Sequence, residues 1–173
     1  MRKALSLWSK GVFRTGSRGE VRIVPAVGGL DALISVTYDI VANDFVRAGE
    51  AASKIKRLLQ QLGVEPGIIR RAAIAAYEAE MNVVIHSYGG RIAANITADS
   101  IEILCEDSGP GIPDIEKALQ EGYSTASEDI REMGFGAGMG LPNIRRSAEE
   151  FSIESACGQG TRLKVKILHK VGD

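Results

Sequence analysis

Between Thr161 and Leu168 the chain alternates without a break, with Thr161, Leu163, Val165 and Ile167 on one side and Arg162, Lys164 and Lys166 on the other. A period of two with one apolar and one cationic face belongs to an antiparallel strand that has one face on a core and one in water. Such a sheet must be covered on its dry face, and the rest of the chain has to supply the cover.

Leu33 to Ile40 alternates similarly, with Ile34, Val36 and Tyr38 set against Ser35, Thr37 and Asp39. Asn43 or Asp44 then caps an expected helix carrying Phe45, Ala48, Ala52, Ile55, Leu58, Leu59 and Leu62, which Gly63 stops. Pro66 opens a second helix that runs to about Tyr88. Two strands follow, Arg91 to Thr97 and Ile101 to Asp107, joined by a turn at Ala98-Asp99-Ser100. The segment from Ser108 to Gly140 is rich in glycine and polar residues and holds only a short helix near Ile115 to Gln120. A helix from about Pro142 to Glu150 leads into the last two strands. This order predicts an α+β fold, a two-layer α/β sandwich: a mixed, largely antiparallel sheet covered on one face by about three helices. A doubly wound parallel sheet does not fit. A loop of roughly thirty residues inside a compact domain reads as a lid or binding segment.

A chain of 173 residues suits one domain with a substantial core. We divide it into a basic N-terminal arm over 1–30 and a domain over 31–173. In the arm, Arg2, Lys3, Lys10, Arg14, Arg18 and Arg22 are opposed only by Glu20. It reads as a flexible tail or as a segment that docks on an acidic partner or membrane surface. The net charge of −1 argues against non-specific nucleic-acid binding by the body of the protein. No apolar run approaches the roughly 20 residues that cross a bilayer. Met1 to Trp8 is too short for the apolar core of a secretory signal, which predicts a cytoplasmic protein. Cys105 and Cys157 sit in apolar, strand-like segments and read as small buried hydrophobes; a disulfide or metal pair is the alternative.

The chemistry concentrates in three places. On the second helix, Ile74, Tyr77, Met81, Val84 (or Ile85) and Tyr88 make a stripe suited to packing on the sheet. Glu78, Asn82 and His86 run beside it at four-residue spacing, stepping only about 40° each time. An Asn carbonyl is a hard oxygen ligand suited to Mg²⁺ on phosphates. A Glu one turn earlier is placed to accept a proton from an attacking hydroxyl or water. The bland alternative for the Glu–Asn pair is a helix-surface hydrogen bond, and His86 is either a phosphate contact or a border histidine satisfied by backbone. Glu80 points the other way and reads as a solvated surface acid. The second place is Asp107-Ser108-Gly109-Pro110-Gly111 at a strand end: Asp107 is set to accept from an exocyclic amine such as that of adenine, and Gly109 and Gly111 allow close backbone approach. A plain acidic turn is the alternative. In the third, Gly134, Gly136, Gly138 and Gly140 lead into the Pro142 helix and expose backbone N–H groups suited to phosphate. It is neither a Walker A loop nor a dinucleotide-binding fingerprint.

In this order and spacing the three pieces resemble the GHKL ATPase superfamily, which includes gyrase-type ATPases and sensor histidine kinases. Glu78-x-x-x-Asn82 is similar to its N box, Asp107-x-Gly109-x-Gly111 to its first glycine box and Gly136-x-Gly138-x-Gly140 to its second. Gly160-Thr161 is similar to a late Gly-Thr whose hydroxyl supports the adenine-binding Asp. The stretches from Tyr77 to Gly90 and from Glu121 to Arg146 further resemble bacterial anti-sigma-factor and stress-switch serine kinases. That resemblance implies binding of ATP with Mg²⁺, phosphorylation of a STAS-domain antagonist, capture of a sigma factor by many members, and a homodimer. It implies Glu78 as catalytic base, Asn82 as Mg²⁺ ligand, Asp107 as adenine contact, and Gly109, Gly111, Gly136, Gly138 and Gly140 as pocket and lid. The charged stretch Glu128-Asp129-Ile130-Arg131-Glu132 lengthens the lid; Arg131 is either a γ-phosphate contact on closure or a solvated lid residue. A nucleotide-gated binding module (an anti-sigma factor or phosphatase activator) is the second reading. A histidine-kinase catalytic domain is the third, disfavoured because the helices before the site present no phosphoacceptor histidine: His86 sits in the site helix and His169 at the chain end.

Overall fold

The structure, a computed structural model, describes residues 11–14, 19–24 and 33–169. In chain order its elements are β1 (Gly11–Arg14), β2 (Gly19–Val24), β3 (Leu33–Ile40), α1 (Glu50–Gln61), α2 (Pro66–His86), β4 (Gly90–Ile96), β5 (Ser100–Asp107), α3 (Ile115–Ala118), α4 (Glu128–Glu132), α5 (Gly140–Arg146), β6 (Glu150–Ser155) and β7 (Thr161–Leu168). The strands form one sheet in the order β1-β2-β3-β4-β5-β7-β6, and every described pair is antiparallel. The expected arm over 1–30 lies for the most part outside the described residues; within it, β1 and β2 pair with each other and β2 pairs onto β3.

The period-two reading of β7 fixes which face is dry. Leu163, Val165 and Ile167 lie opposite Cys105, Ile103 and Ile101 of β5, and all six are buried. With Ile92, Ala94, Ile96, Ile34, Val36 and Tyr38 they form the floor on which α1, α2 and α5 rest in one core cluster. Each fully buried isoleucine, such as Ile92, Ile103 or Ile167, contributes about 1.5–3 kcal/mol relative to exposure. The wet face is laced instead by Arg91–Glu106 (2.6 Å), Arg162–Glu106 (3.3 Å) and Lys164–Glu102 (2.7 Å). These pairs stand partly in water and contribute no more than about 1 kcal/mol each, so burial on the other face holds the sheet.

Two helix expectations are corrected. The first helix starts at Glu50, not at Asn43 or Asp44: Asn43 (φ 59°) and Gly49 (φ 87°) both take left-handed backbone, which breaks the 41–49 segment into turns. Asp44 does cap, but only a turn, accepting from Arg47 N at 3.3 Å. On α2 the buried face is mostly small-residued, with Ala72, Ala75, Ala76, Ala79 and Val83 buried; of the expected stripe Met81 and Val84 are buried as well, whereas Tyr77 and Tyr88 are exposed. Alanine lets the helix axis approach the sheet closely, and a tyrosine in that seam would hold it off. The start of α2 is as expected at Pro66, with Glu65 accepting from Gly67 N and Ile68 N at 2.9 and 3.1 Å. Cys105 is buried in β5, but Cys157 is exposed in the β6–β7 turn, contrary to its reading as a buried hydrophobe.

Glu80 overturns its reading as a solvated acid. It is buried at 4% exposure, and its two carboxylate oxygens accept from Ala51 N (3.2 Å) and Ala52 N (2.9 Å). Helix α1 has a glycine at its N-cap and no side-chain cap of its own, so an acid from the neighbouring helix satisfies its first N–H groups. One cleft, lined by Tyr38, Asp44, Lys54 and Glu80, lies here, on the far side of α2 from Glu78; Glu80 is already engaged in it by the helix.

Candidate functional site

Helix α2 ends beside the C-terminal end of β5, because Gly90, which opens β4, pairs with Asp107. This places Glu78, Asn82 and His86 in a row of about 12 Å that ends next to Asp107. The loops after β5 and before β7 and α5 close round the row.

At its near end, α5 packs across α2. A Cβ on Gly140 would lie 3.1 Å from Asn82 Oδ1 and 3.4 Å from Glu78 Oε2, so the backbone that opens α5 sits directly against both side chains. Asn143, one turn on, donates its Nδ2 to Glu78 Oε1 at 2.8 Å. The side-chain amide of Asn82 has no hydrogen-bond partner among the described residues, although it is half-buried. Such a group asks for a ligand or ordered water. An uncommitted amide oxygen beside a half-buried carboxylate is a donor set that fits a hard divalent cation bridging to phosphate oxygens, for which few protein ligands suffice.

At the far end, Asp107 Oδ1 accepts from Gly109 N at 2.6 Å, which turns the chain out of β5. Any Cβ on Gly109 would meet Asp107 Oδ1 at 2.8 Å and Ser87 Cα at 2.9 Å, and one on Gly160 (φ 79°) would overlap the Asp107 carbonyl oxygen. Gly111 approaches the Ala156 backbone in the same manner. The Thr161 hydroxyl lies 3.0 Å from Ser155 Oγ, so its hydrogen-bond partner is Ser155 and not Asp107, as the late Gly-Thr pattern had implied. Ser155 ties this corner together, donating to the Gly160 carbonyl (2.7 Å) and accepting from Ile112 N (2.8 Å).

His86 stands between the two ends. Its Nδ1 is 3.4 Å from Thr125 Oγ1 of the lid, a side-chain contact where a backbone partner was the bland expectation. Burial pushes its pKa below the ordinary histidine value against the opposing pull of Asp107.

The lid is folded over itself. Gly122 N bonds to the Gly138 carbonyl (3.0 Å), and Phe135 stacks on Phe45 of the 41–49 turn with ring centroids 5.7 Å apart. The backbone at Gly136 and Gly138 leaves no room for a Cβ, which would meet Ala126 and Gly122. The charged stretch forms α4, a helix the sequence did not announce. Arg131 donates to the Ser124 carbonyl at 3.1 Å and lines a shallow hollow with Ala126, Glu128 and Glu132. It braces the lid on itself in this conformation and makes no contact with Glu78 or Asn82.

The residue that motif reading missed is Asn143. The available signal was a polar amide one turn after Gly140 on a helix whose neighbours Pro142 and Ile144 are buried.

Comparison with known proteins bears on the same stretch. The family described as "Histidine kinase-like ATPase domain" matches residues 41–167. The chain is similar to the serine/threonine-protein kinase RsbT of Bacillus subtilis (strain 168), at 33% identity over 135 residues, 76% of this chain and 90% of that protein. It is also similar to the anti-sigma F factor of Thermoanaerobacter sp. (strain X514), at 36% identity over 96 residues, 53% of this chain and 64% of that one. The anti-sigma F factor of Clostridium novyi (strain NT) is 34% identical over 98 residues, 53% of this chain and 65% of its own length. The match thus spans most of the kinase but just under two thirds of either anti-sigma factor.

Proposed function

The chain belongs to the histidine kinase-like ATPase domain family, and from that premise we propose that it is an ATP-dependent serine/threonine protein kinase of the anti-sigma-factor type. Its substrate on this reading is a STAS-domain antagonist in the cytoplasm, and its output is partner switching in transcription, with sigma-factor capture and homodimer formation as further parts of the same proposal. The observation that carries the reading is the pairing of an uncommitted Asn82 amide with a Glu78 carboxylate held by Asn143 at Oε1, its Oε2 having no hydrogen bond among the described residues. A nucleotide sensor needs a pocket for ATP; it does not need a carboxylate held in place beside the phosphate position.

In this scheme Asp107 accepts from the adenine amino group, with Gly109, Gly111 and Gly160 giving the backbone room to approach the base. Gly136, Gly138 and Gly140 bring the lid backbone against the phosphates, and His86 and Arg131 flank it. Asn82 Oδ1 would hold Mg²⁺, which when bound neutralises charge on the β- and γ-phosphates. Glu78 Oε2 accepts the proton of the attacking hydroxyl as the hydroxyl oxygen bonds to the γ-phosphorus and the bond to the β-bridging oxygen breaks, releasing ADP.

The test is transfer of labelled γ-phosphate from ATP with Mg²⁺ to a purified STAS protein, by the wild type and by Glu78→Ala and Asn82→Ala. Transfer by the wild type and loss in both variants is the expected result; equal transfer by all three would remove the chemistry from α2. Capture of a partner with no transfer at all would favour the binding-module reading.

Gly140→Ala probes the same geometry more gently. The residue has no positive φ, so the fold should persist with a melting temperature within a few degrees of wild type. The new methyl crowds Asn82 Oδ1 at 3.1 Å, and affinity for Mg²⁺-ATP should fall by roughly five- to tenfold, about 1–1.4 kcal/mol. A nucleotide titration of unchanged affinity would contradict the placement of phosphate over this backbone.

A further inference from the structure

We propose that Asn143 is a positioning residue for Glu78: it fixes which carboxylate oxygen faces the reacting hydroxyl. The inference rests on the assignment of Glu78 as base. Glu78 has three side-chain torsions, so its carboxylate is not oriented by α2 alone. The Asn143 amide engages Oε1 at 2.8 Å. No described group bonds Oε2, which lies on the side of Gly140 and Asn82. With Oε1 held, one oxygen remains to take a proton, and it points to the place where Asn82 also turns its amide oxygen.

The amide type matters. Asparagine is a poor helix former, yet Asn143 sits inside α5, where a better helix former would stabilise a helix of only seven residues. A donor is required toward a carboxylate, and at this distance a short, uncharged side chain supplies one without neutralising the base. Lysine or arginine would pair with the carboxylate and favour its ionised form, making it a weaker proton acceptor.

The contact extends further, with decreasing weight. Arg146 Nη2 reaches Asn143 Oδ1 at 3.4 Å, and Arg146 Nη1 reaches Glu121 Oε1, at the start of the lid, at 3.1 Å. The side chains of Arg146 and Glu121 are 56% and 64% exposed. A pair that wet changes rate less than about fivefold when broken. The dominant link is therefore Asn143 to Glu78.

The experiment combines single-turnover transfer to a STAS protein, nucleotide affinity and side-chain NMR. In the nucleotide-free protein, the Asn143 side-chain amide resonances, assigned by their loss in Asn143→Ala, should move on Glu78→Gln; unmoved resonances would overturn the contact. Asn143→Ala should lower the transfer rate by roughly ten- to a hundredfold, the scale of a misplaced catalytic group, with ATP affinity within about threefold of wild type. Asn143→Asp keeps the shape of the side chain but sets a like charge against Glu78, so it should be slower than the alanine variant. If Asn143 only fills space, Asp would retain near-wild-type transfer, and the inference fails. The double variant Glu78→Gln/Asn143→Ala should be no slower than Glu78→Gln alone, since Asn143 acts through Glu78; additive losses would overturn the proposal. Wild-type transfer by Glu78→Gln would instead reject the base assignment, and with it this inference, while the NMR result would still report whether the contact exists.

Discussion

Glu78→Gln should abolish phosphotransfer while leaving nucleotide binding almost intact. Glutamine keeps the length of the side chain and an oxygen that still accepts from Asn143 at the position of Glu78 Oε1. It replaces the basic oxygen by a neutral N–H donor at nearly the same size. Loss of a general base slows the chemical step by about 10²–10⁴-fold, which corresponds to about 2.7–5.5 kcal/mol of transition-state stabilisation. ATP affinity should change by less than about threefold, because the adenine contact proposed at Asp107 is untouched and the side chain keeps its size beside Gly140. Rapid-quench transfer to a STAS protein, paired with a fluorescent-nucleotide titration, separates the two. A variant that transfers within about threefold of wild type would show that the proton leaves by another route. A variant that no longer binds ATP would show that Glu78 holds the nucleotide, as a binding module would use it.

The residues that support this site were legible to different degrees, and the difference follows from range. Glu78, Asn82 and His86 share a helix, so a 3.6-residue period is enough to align them, and the Glu65-Pro66 start of α2 is a local signal. Strand β7 declares its faces in eight consecutive residues. The glycine loops are recognisable because their backbone leaves no room for Cβ atoms at Gly109, Gly138 and Gly160. What failed was non-local. The buried seam of α2 is built largely from alanines, which are common on wet and dry faces alike, so the expected stripe caught Met81 and Val84 but was drawn off the seam at Tyr77. Thr161 was paired with Asp107 by pattern, whereas Ser155, six residues away across the β6–β7 hairpin, holds its hydroxyl. Asn143 meets Glu78 across 65 residues of sequence, and no periodicity encodes that contact.

Glu80 is the sharpest instance, and its removal should have the largest effect on stability. The N–H groups of Ala51 and Ala52 are buried at the start of α1, and Gly49 offers them no side chain. In Glu80→Ala both lose their acceptor. Each orphaned donor costs about 1–3 kcal/mol; against this, the variant no longer buries a carboxylate. The net loss should be about 3 kcal/mol, and it should appear in denaturant unfolding as a lower midpoint with an unchanged slope. The proton linkage has a definite sign. Burial raises the Glu80 pKa above its ordinary value, with the Ala52, Ala51 and Gly49 N–H groups pulling the other way and Glu50 adding to the rise. The folded state therefore binds this proton more tightly than the unfolded chain. Glu80 contributes fully to stability below the ordinary carboxylate pKa, and that increment is lost as pH rises through the folded value. Relative to Glu80→Gln, which cannot titrate, the wild type should thus lose stability as pH rises from about 4.5 upward. If the wild type instead gains on the glutamine variant over that range, the charged form is the one the fold prefers, and the two backbone hydrogen bonds outweigh the cost of taking the carboxylate out of water.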